Sequence, residues 1–294
     1  MSADVTTAIF SKPVLSGRSR PVAVRRPDPP TPMARFSSGD RVGSFQILNL
    51  VEQGGTAEVY RASHPTLGEV ALKISSNGYE HMLRDEALAL RRLADSKNTS
   101  RILSYGLEEG WHCMAMEYIS GQTVKALLNA GPIDLPKTLD IITQVCYGLN
   151  NFHQQRLAHL DVKPGNILIG KDGQATLIDA GNVRPFSFAS TEEIRVTLTY
   201  ASPEQLRGKA VDNRSDIFNL GLTMFAMLTG HHAFAGEESE VATQLFCSEV
   251  PMLPDTFHPQ IRAIVGRMTA HDPAHRYQDV MEIVRDIRLF TENQ

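Results

Sequence analysis

Within His159-Leu160-Asp161-Val162-Lys163-Pro164-Gly165-Asn166, a carboxylate, an ammonium and an amide stand at offsets of zero, two and five. A second carboxylate, Asp179, comes eighteen residues after Asp161, in Leu177-Ile178-Asp179-Ala180-Gly181. Phosphoryl transfer from a nucleotide needs that inventory: a carboxylate to orient the attacking hydroxyl, a cation to neutralise the transferring group, and an amide with a second carboxylate to hold Mg²⁺. Two upstream features could serve the same chemistry. Lys73 lies mid-strand in Val70-Ala71-Leu72-Lys73, where a lysine ordinarily just faces solvent. Gly54-Gly55, in Glu52-Gln53-Gly54-Gly55-Thr56-Ala57-Glu58-Val59, reads first as a plain hairpin turn. Its alternative role is a loop without Cβ atoms, which lets backbone N–H groups approach phosphates.

These groups must be positioned by a β-rich half followed by a helical half. Residues 45–51, 57–62 and 69–74 carry strand signals, the first two flanking Gly54-Gly55. Leu83, Ala87, Leu90 and Leu93 recur at helical spacing over 80–93, and residues 113–118 read as a buried strand leading into a connection. After Gly121 the pattern turns helical. Ile142, Val145, Cys146, Leu149 and Phe152 form one stripe over 136–155. Residues 216–229 are apolar nearly all round, which predicts a central buried helix ended by Gly230. Further helices are predicted at 238–248, 259–270 and 278–291.

Composition narrows the partners. The net charge of −4 hides an asymmetry: residues 1–40 hold six Lys/Arg against three Asp, leaving −7 on the remainder. An acidic body argues against nucleic-acid binding, which needs a basic footprint. Six of the 16 prolines fall in the first 36 residues, which read as a flexible tail able to dock a partner or an activator. No stretch of about 18 apolar residues suggests a membrane span, and no early apolar run suggests a secretory signal. Cys113, Cys146 and Cys247 are odd in number and widely spaced, against a disulfide framework, so a cytoplasmic, reduced location is expected. His231-His232 and His271/His275 lack zinc-ligand spacing, with Pro273 inside the second pair, and read as loop histidines.

The run around Asp161 resembles the catalytic loop of protein kinases (His-Arg-Asp, then Lys and Asn), and Asp179 resembles the aspartate of their Asp-Phe-Gly element. Lysine two residues after Asp161, and Thr197-Leu198-Thr199-Tyr200-Ala201-Ser202-Pro203-Glu204-Gln205, are similar to bacterial-type (Hanks-type) serine/threonine protein kinases. The resemblance covers about residues 45–290. It implies an α+β, two-lobed fold over 41–292, with a small β-rich N-lobe (41–118) and a larger helical C-lobe (121–292) behind the tail of 1–40. It also implies ATP as donor, Mg²⁺ or Mn²⁺ as cofactor, protein substrates phosphorylated on Ser/Thr, and autophosphorylation. Asp161 would be the base, Lys163 would neutralise the γ-phosphoryl, and Asn166 and Asp179 would bind the metal. Lys73 would contact the α/β-phosphates and pair with Glu86, Asp85 and Glu80 being the alternatives. Glu52, Gly54, Gly55 and Val59 would cover the phosphates. Ala71, Met116, Glu117 and Ile119 would line the adenine pocket. Thr197 would bond Asp161 and Lys163, Glu204 would pair with Arg276, and Asp216 would hold the catalytic-loop backbone.

Five residues depart from the pattern, Ala57 for a glycine and Ser202 for an alanine among them. Glu52 stands where a glycine is expected, Leu160 replaces the arginine before the catalytic aspartate, and Ala180 replaces the phenylalanine after the metal-binding one. Without the arginine, activity is expected not to depend on phosphorylation at Ser187, Ser190 or Thr191, while Thr197 matters for its hydroxyl. Without the ring, either neighbours fill the space or the helix bearing Glu86 is loosely held. The departures motivate an alternative, a pseudokinase acting as a nucleotide-binding module. A small-molecule kinase is disfavoured by Lys163 and by the Glu204…Arg276 pair.

Overall fold

The computed structural model describes residues 34–93, 96–189, 197–234, 236–246 and 251–293. The first 33 residues, Ser190, Thr191 and Cys247 lie outside these. The N-terminal lobe is a six-stranded sheet built from β1 (Arg41–Val42), β2 (Phe45–Gln53), β3 (Ala57–His64), β4 (Gly68–Ser75), β5 (Ile102–Glu108) and β6 (Trp111–Glu117), with α1 (Glu80–Arg91) inserted after β4. Its order is β1-β2-β3-β4-β6-β5, every pairing antiparallel.

Register decides which side chains meet. Val59 is opposite Lys73, Lys73 opposite Met114 and Ala71 opposite Met116, so these residues share one face of the sheet. The alternate residues Val70, Leu72, Ile74, Cys113 and Ala115 pack with Phe45, Ile47, Tyr60 and Ala62 on the other. Lys73 therefore faces α1 and the cleft rather than solvent. β5 is the strand that periodicity did not mark, because its residues are mostly half-buried without alternation.

The C-terminal lobe is mainly helical, but short strands interrupt it where a continuous helical half was expected. After β7 (Gly121–Thr123) come α2 (Val124–Leu128), α3 (Leu135–Gln154), β8 (Leu157–Ala158), β9 (Ile167–Gly170), β10 (Ala175–Leu177) and β11 (Arg184–Pro185). These strands are two to four residues long, too short for a period to show. Then follow α4 (Pro203–Leu206), α5 (Asn213–Thr229), α6 (Glu238–Phe246), α7 (Pro259–Met268) and α8 (Val280–Glu292). α5 starts at an Asp212 cap, ends at left-handed Gly230 and is buried along nearly its whole length, as its all-round apolar character requires. A Cβ at Gly221 would meet Met268 and Thr269 at 2.8 and 2.7 Å, so α7 crosses α5 at a point only glycine allows. The lobes are tied where Ser100 N donates to Leu177 O at 3.1 Å and Leu177 N to Asn98 O at 2.9 Å.

Candidate active site

On the N-terminal lobe the site is organised by Lys73. Its Nζ donates to both Glu86 oxygens, at 2.9 and 2.7 Å, and to Asp179 Oδ1 at 2.8 Å. Glu86, not Asp85 or Glu80, faces the lysine: it is buried on the inner side of α1, whereas Asp85 is exposed beside Arg84. Burial alone would lower Lys73, but Asp179 and Glu86 outweigh it and hold the ammonium above the ordinary lysine value. Burial pushes Glu86 up to about 7 against the pull of Lys73. Desolvation also opposes ionisation of Asp179, yet Lys73 overrides it and keeps that carboxyl well below the usual range.

The opposite wall is the loop between β8 and β9. Lys163 Nζ donates to Asp161 Oδ2 at 2.7 Å and to Thr197 Oγ1 at 2.9 Å, and Thr197 Oγ1 reaches Asp161 Oδ1 at 3.4 Å. Asn166 Nδ2 holds the Asp161 backbone and its carboxylate, both at 2.9 Å. Burial raises the Asp161 carboxyl above its ordinary value, against the pull of Lys163. The loop is clamped from beneath by Asp216 of α5, which accepts from His159 N at 2.8 Å and Leu160 N at 2.7 Å. That clamp holds Leu160 in the left-handed region, φ 65°, a strain of about 1–2 kcal/mol for a non-glycine residue. Glu204 and Arg276 form a two-pronged buried pair at 2.7 and 3.0 Å, with Ser215 on the same carboxylate.

Between the walls lies a cleft of about 1020 Å³. Glu52, Gly54, Gly55, Val59, Ala71, Lys73, Glu86, Met116, Glu117, Ile119, Asp161, Lys163, Asn166 and Asp179 all line it. The tertiary structure thus brings these residues onto one surface, while Asp216, Glu204 and Arg276 lie buried outside it. Sequence reasoning assigned no role to Leu168 and Ile178, which line the cleft from β9 and from beyond β10; the short apolar run Ile167-Leu168-Ile169 was the signal for the first. It also missed Gln205, fully buried, whose Nε2 donates to Leu160 O at 2.8 Å while its Oε1 accepts from Asn219 at 3.0 Å. Its local signal is the capping box Ser202-Pro203-Glu204-Gln205, which marks the start of α4 but not the bonds to Leu160 and Asn219.

Two of the departures from the kinase pattern have local explanations. Leu160 is buried with Ala158 and Val211, against Phe186 and Phe188. Apolar packing occupies the place where a cationic pocket was absent from the sequence. Ala180 is buried in the main core, and its N–H donates to Glu86 Oε1 at 3.2 Å. Of the two outcomes foreseen for the missing ring, the structure has α1 docked, with Glu86 drawn inward by both Lys73 and Ala180.

Residues 45–286 match the protein kinase domain family. The chain is 34% identical to the serine/threonine-protein kinase PrkC of Bacillus subtilis over 266 residues, 85% of this chain and 41% of that protein. It is 35% identical to PknL of Mycobacterium tuberculosis over 262 residues, 84% of this chain and 66% of that one. Against PknB of Mycolicibacterium smegmatis the figure is 29% over 273 residues, 85% and 43% of the two lengths. The chain thus spans between 41% and 66% of the length of these three relatives. The family match begins at the first residue of β2 and runs into α8, so both lobes and the cleft between them fall inside it, and the chain belongs to the protein kinase family.

Proposed function

We propose that this chain is a serine/threonine protein kinase that moves the γ-phosphoryl of ATP to serine and threonine hydroxyls of proteins, itself included. The catalytic unit would span 41–292, preceded by the tail. One observation carries the proposal: Lys73 bridges Glu86 and Asp179 on one wall while Asp161, Lys163 and Asn166 interlock on the other, across a single cleft. The donor set suits a hard divalent cation, since Asn166 offers an amide oxygen and Asp179 an ionised carboxylate about half exposed. Bound there, Mg–ATP would supply the activated phosphoryl and its leaving group.

The chain's own groups do the remainder. Asp161, its carboxyl raised by burial, accepts the acceptor hydroxyl's proton, and Lys163 keeps a positive charge beside the transferring oxygens. Lys73, held by Glu86, orients the phosphates beneath Gly54-Gly55. Ala71, Met116 and the Glu117–Ile119 backbone receive the adenine. The pseudokinase alternative drew on Glu52, Leu160 and Ala180; Leu160 and Ala180 are absorbed by packing without disturbing Lys73, and Glu52 is exposed at the end of β2. Among the described residues, no helix is long and apolar enough to cross a membrane. Buried free thiols at Cys113 and Cys146 accord with the reducing, ATP-rich cytoplasm, where we place the protein. The test is γ-phosphate transfer to the chain itself and to a generic protein, with Asp161→Asn as control. Transfer that survives Asp161→Asn would sink the assignment, and nucleotide binding without transfer would favour the pseudokinase.

A further inference from the structure

We infer that the acceptor end of the cleft is a subsite for an anionic residue flanking the phosphorylated hydroxyl, formed by Lys125, His231 and His232; this rests on the kinase reading above. Lys125 is exposed in the first turn of α2. A Cβ built at Gly165 would lie 3.9 Å from Lys125 Cδ, so the lysine stem passes over the catalytic loop between Lys163 and Asn166. The two imidazoles follow Gly230, whose left-handed turn ends α5. Thr229 fixes His231: its hydroxyl, which donates to Phe225 O at 2.8 Å, accepts from His231 N at 3.2 Å. His232 Nδ1 meets Tyr200 Oη at 3.2 Å, on the segment whose Thr197 bonds Lys163. All three side chains line the same cleft as Asp161.

Apart from Asp161, which meets the acceptor hydroxyl itself and is paired with Lys163, the carboxylates lining the cleft are placed elsewhere. Glu86 and Asp179 are bound to Lys73 and Glu117 to Arg101, while Glu52 sits at the end of β2. Among the described residues, none of the carboxylates lining the cleft comes from α2, from the end of α5 or from residues 197–200. Cationic and N–H-donating groups thus face the acceptor in a body that is otherwise acidic, a local field that selects by sign. Asp, Glu or an already phosphorylated residue beside the acceptor would be drawn in, and Lys or Arg repelled.

The test uses the full chain and fluorescein-labelled peptides that differ only in the residues flanking one serine: glutamate, phosphoserine, glutamine or lysine. Both KM for transfer and Kd by anisotropy are measured. The glutamate or phosphoserine peptide should bind about five- to tenfold more tightly than the glutamine one, the scale of a few screened, partly exposed charge contacts. Lys125→Glu should shift the preference towards the lysine peptide, and His231→Asn with His232→Asn should shrink the anionic preference; both replace exposed side chains. A phosphoserine peptide exceeding the glutamate one assigns the site to phosphate, and parity assigns it to any anion. Equal transfer to all peptides, or preference for lysine, overturns the subsite and leaves the kinase standing. Anionic-peptide binding without any transfer sinks the kinase reading and leaves the subsite.

Discussion

Lys73 and Thr197 are the two residues whose single atoms do most to hold the site's charges in place. Lys73→Met should lower kcat by about 10²–10³-fold, as loss of one preorganised cation or donor does. Its effect on the melting temperature should be modest, because Glu86 already sits at about 7 and takes a proton when the lysine leaves. A melting temperature that collapses along with activity would count against this. At Thr197 the hydroxyl bridges Lys163 and Asp161. Thr197→Ala should reduce kcat by about tenfold or more while Thr197→Ser restores it, the pattern of a positioning group in acid–base chemistry. Ser187→Ala and Thr199→Ala, by contrast, should change kcat little, and the same expectation applies to Ser190 and Thr191 outside the described residues. Leu160, packed against Phe186 and Phe188, carries no charge to greet a phosphate. A large loss at Ser187, Ser190 or Thr191 would overturn that reading of Leu160.

Between elements, the connection that matters most joins α4 to the loop after α7. Arg276 is fully buried and spends its donors on Glu204, Ala270 O, Arg214 O and His271 O. Removing one partner of a buried pair leaves the other uncompensated, so Arg276→Met should cost about 3–5 kcal/mol in denaturant unfolding. Burial pushes the Glu204 carboxyl up, but Arg276 overrides it and the group sits below its ordinary value. A depressed carboxylate stabilises fully above the unfolded glutamate pKa of about 4.3, and that contribution is lost as pH falls through the folded value. The wild type's advantage over Arg276→Met should therefore be largest near neutrality and shrink in acid. α1 is held differently, by Lys73–Glu86 and the Ala180 N–H rather than by a ring beneath it.

For the molecule as a whole, the acid limb of stability should carry the signature of His159. Burial pushes its imidazole down to about 4, whereas the unfolded value is near 6.5. Between those values the unfolded chain binds the extra proton, so stability is full above about 6.5 and falls as pH drops towards 4. Chemical-denaturation curves across that window should flatten in His159→Gln relative to wild type; an unchanged slope would sink the assignment. The candidate site was legible early because it is written in local spacing: Asp161, Lys163 and Asn166 share one loop, and Asp179 follows just after the β9–β10 hairpin. The long helices were legible too, since α3 and α5 repeat their apolar pattern over many turns. β5, the short strands of the C-terminal lobe and the long-range bonds of Gln205 were not, because half-buried strands, pairings of two to four residues and contacts distant in the chain leave no period to read. By itself the sequence determined the inventory of charges and the two-lobed order of elements. Only the tertiary structure decided that Glu86 rather than Asp85 meets Lys73, that Leu160 and Ala180 are packed rather than missing, and that Lys125 joins His231 and His232 at the acceptor end. Those outcomes depend on register, helix rotation and contacts between residues far apart in the chain, which no local pattern encodes.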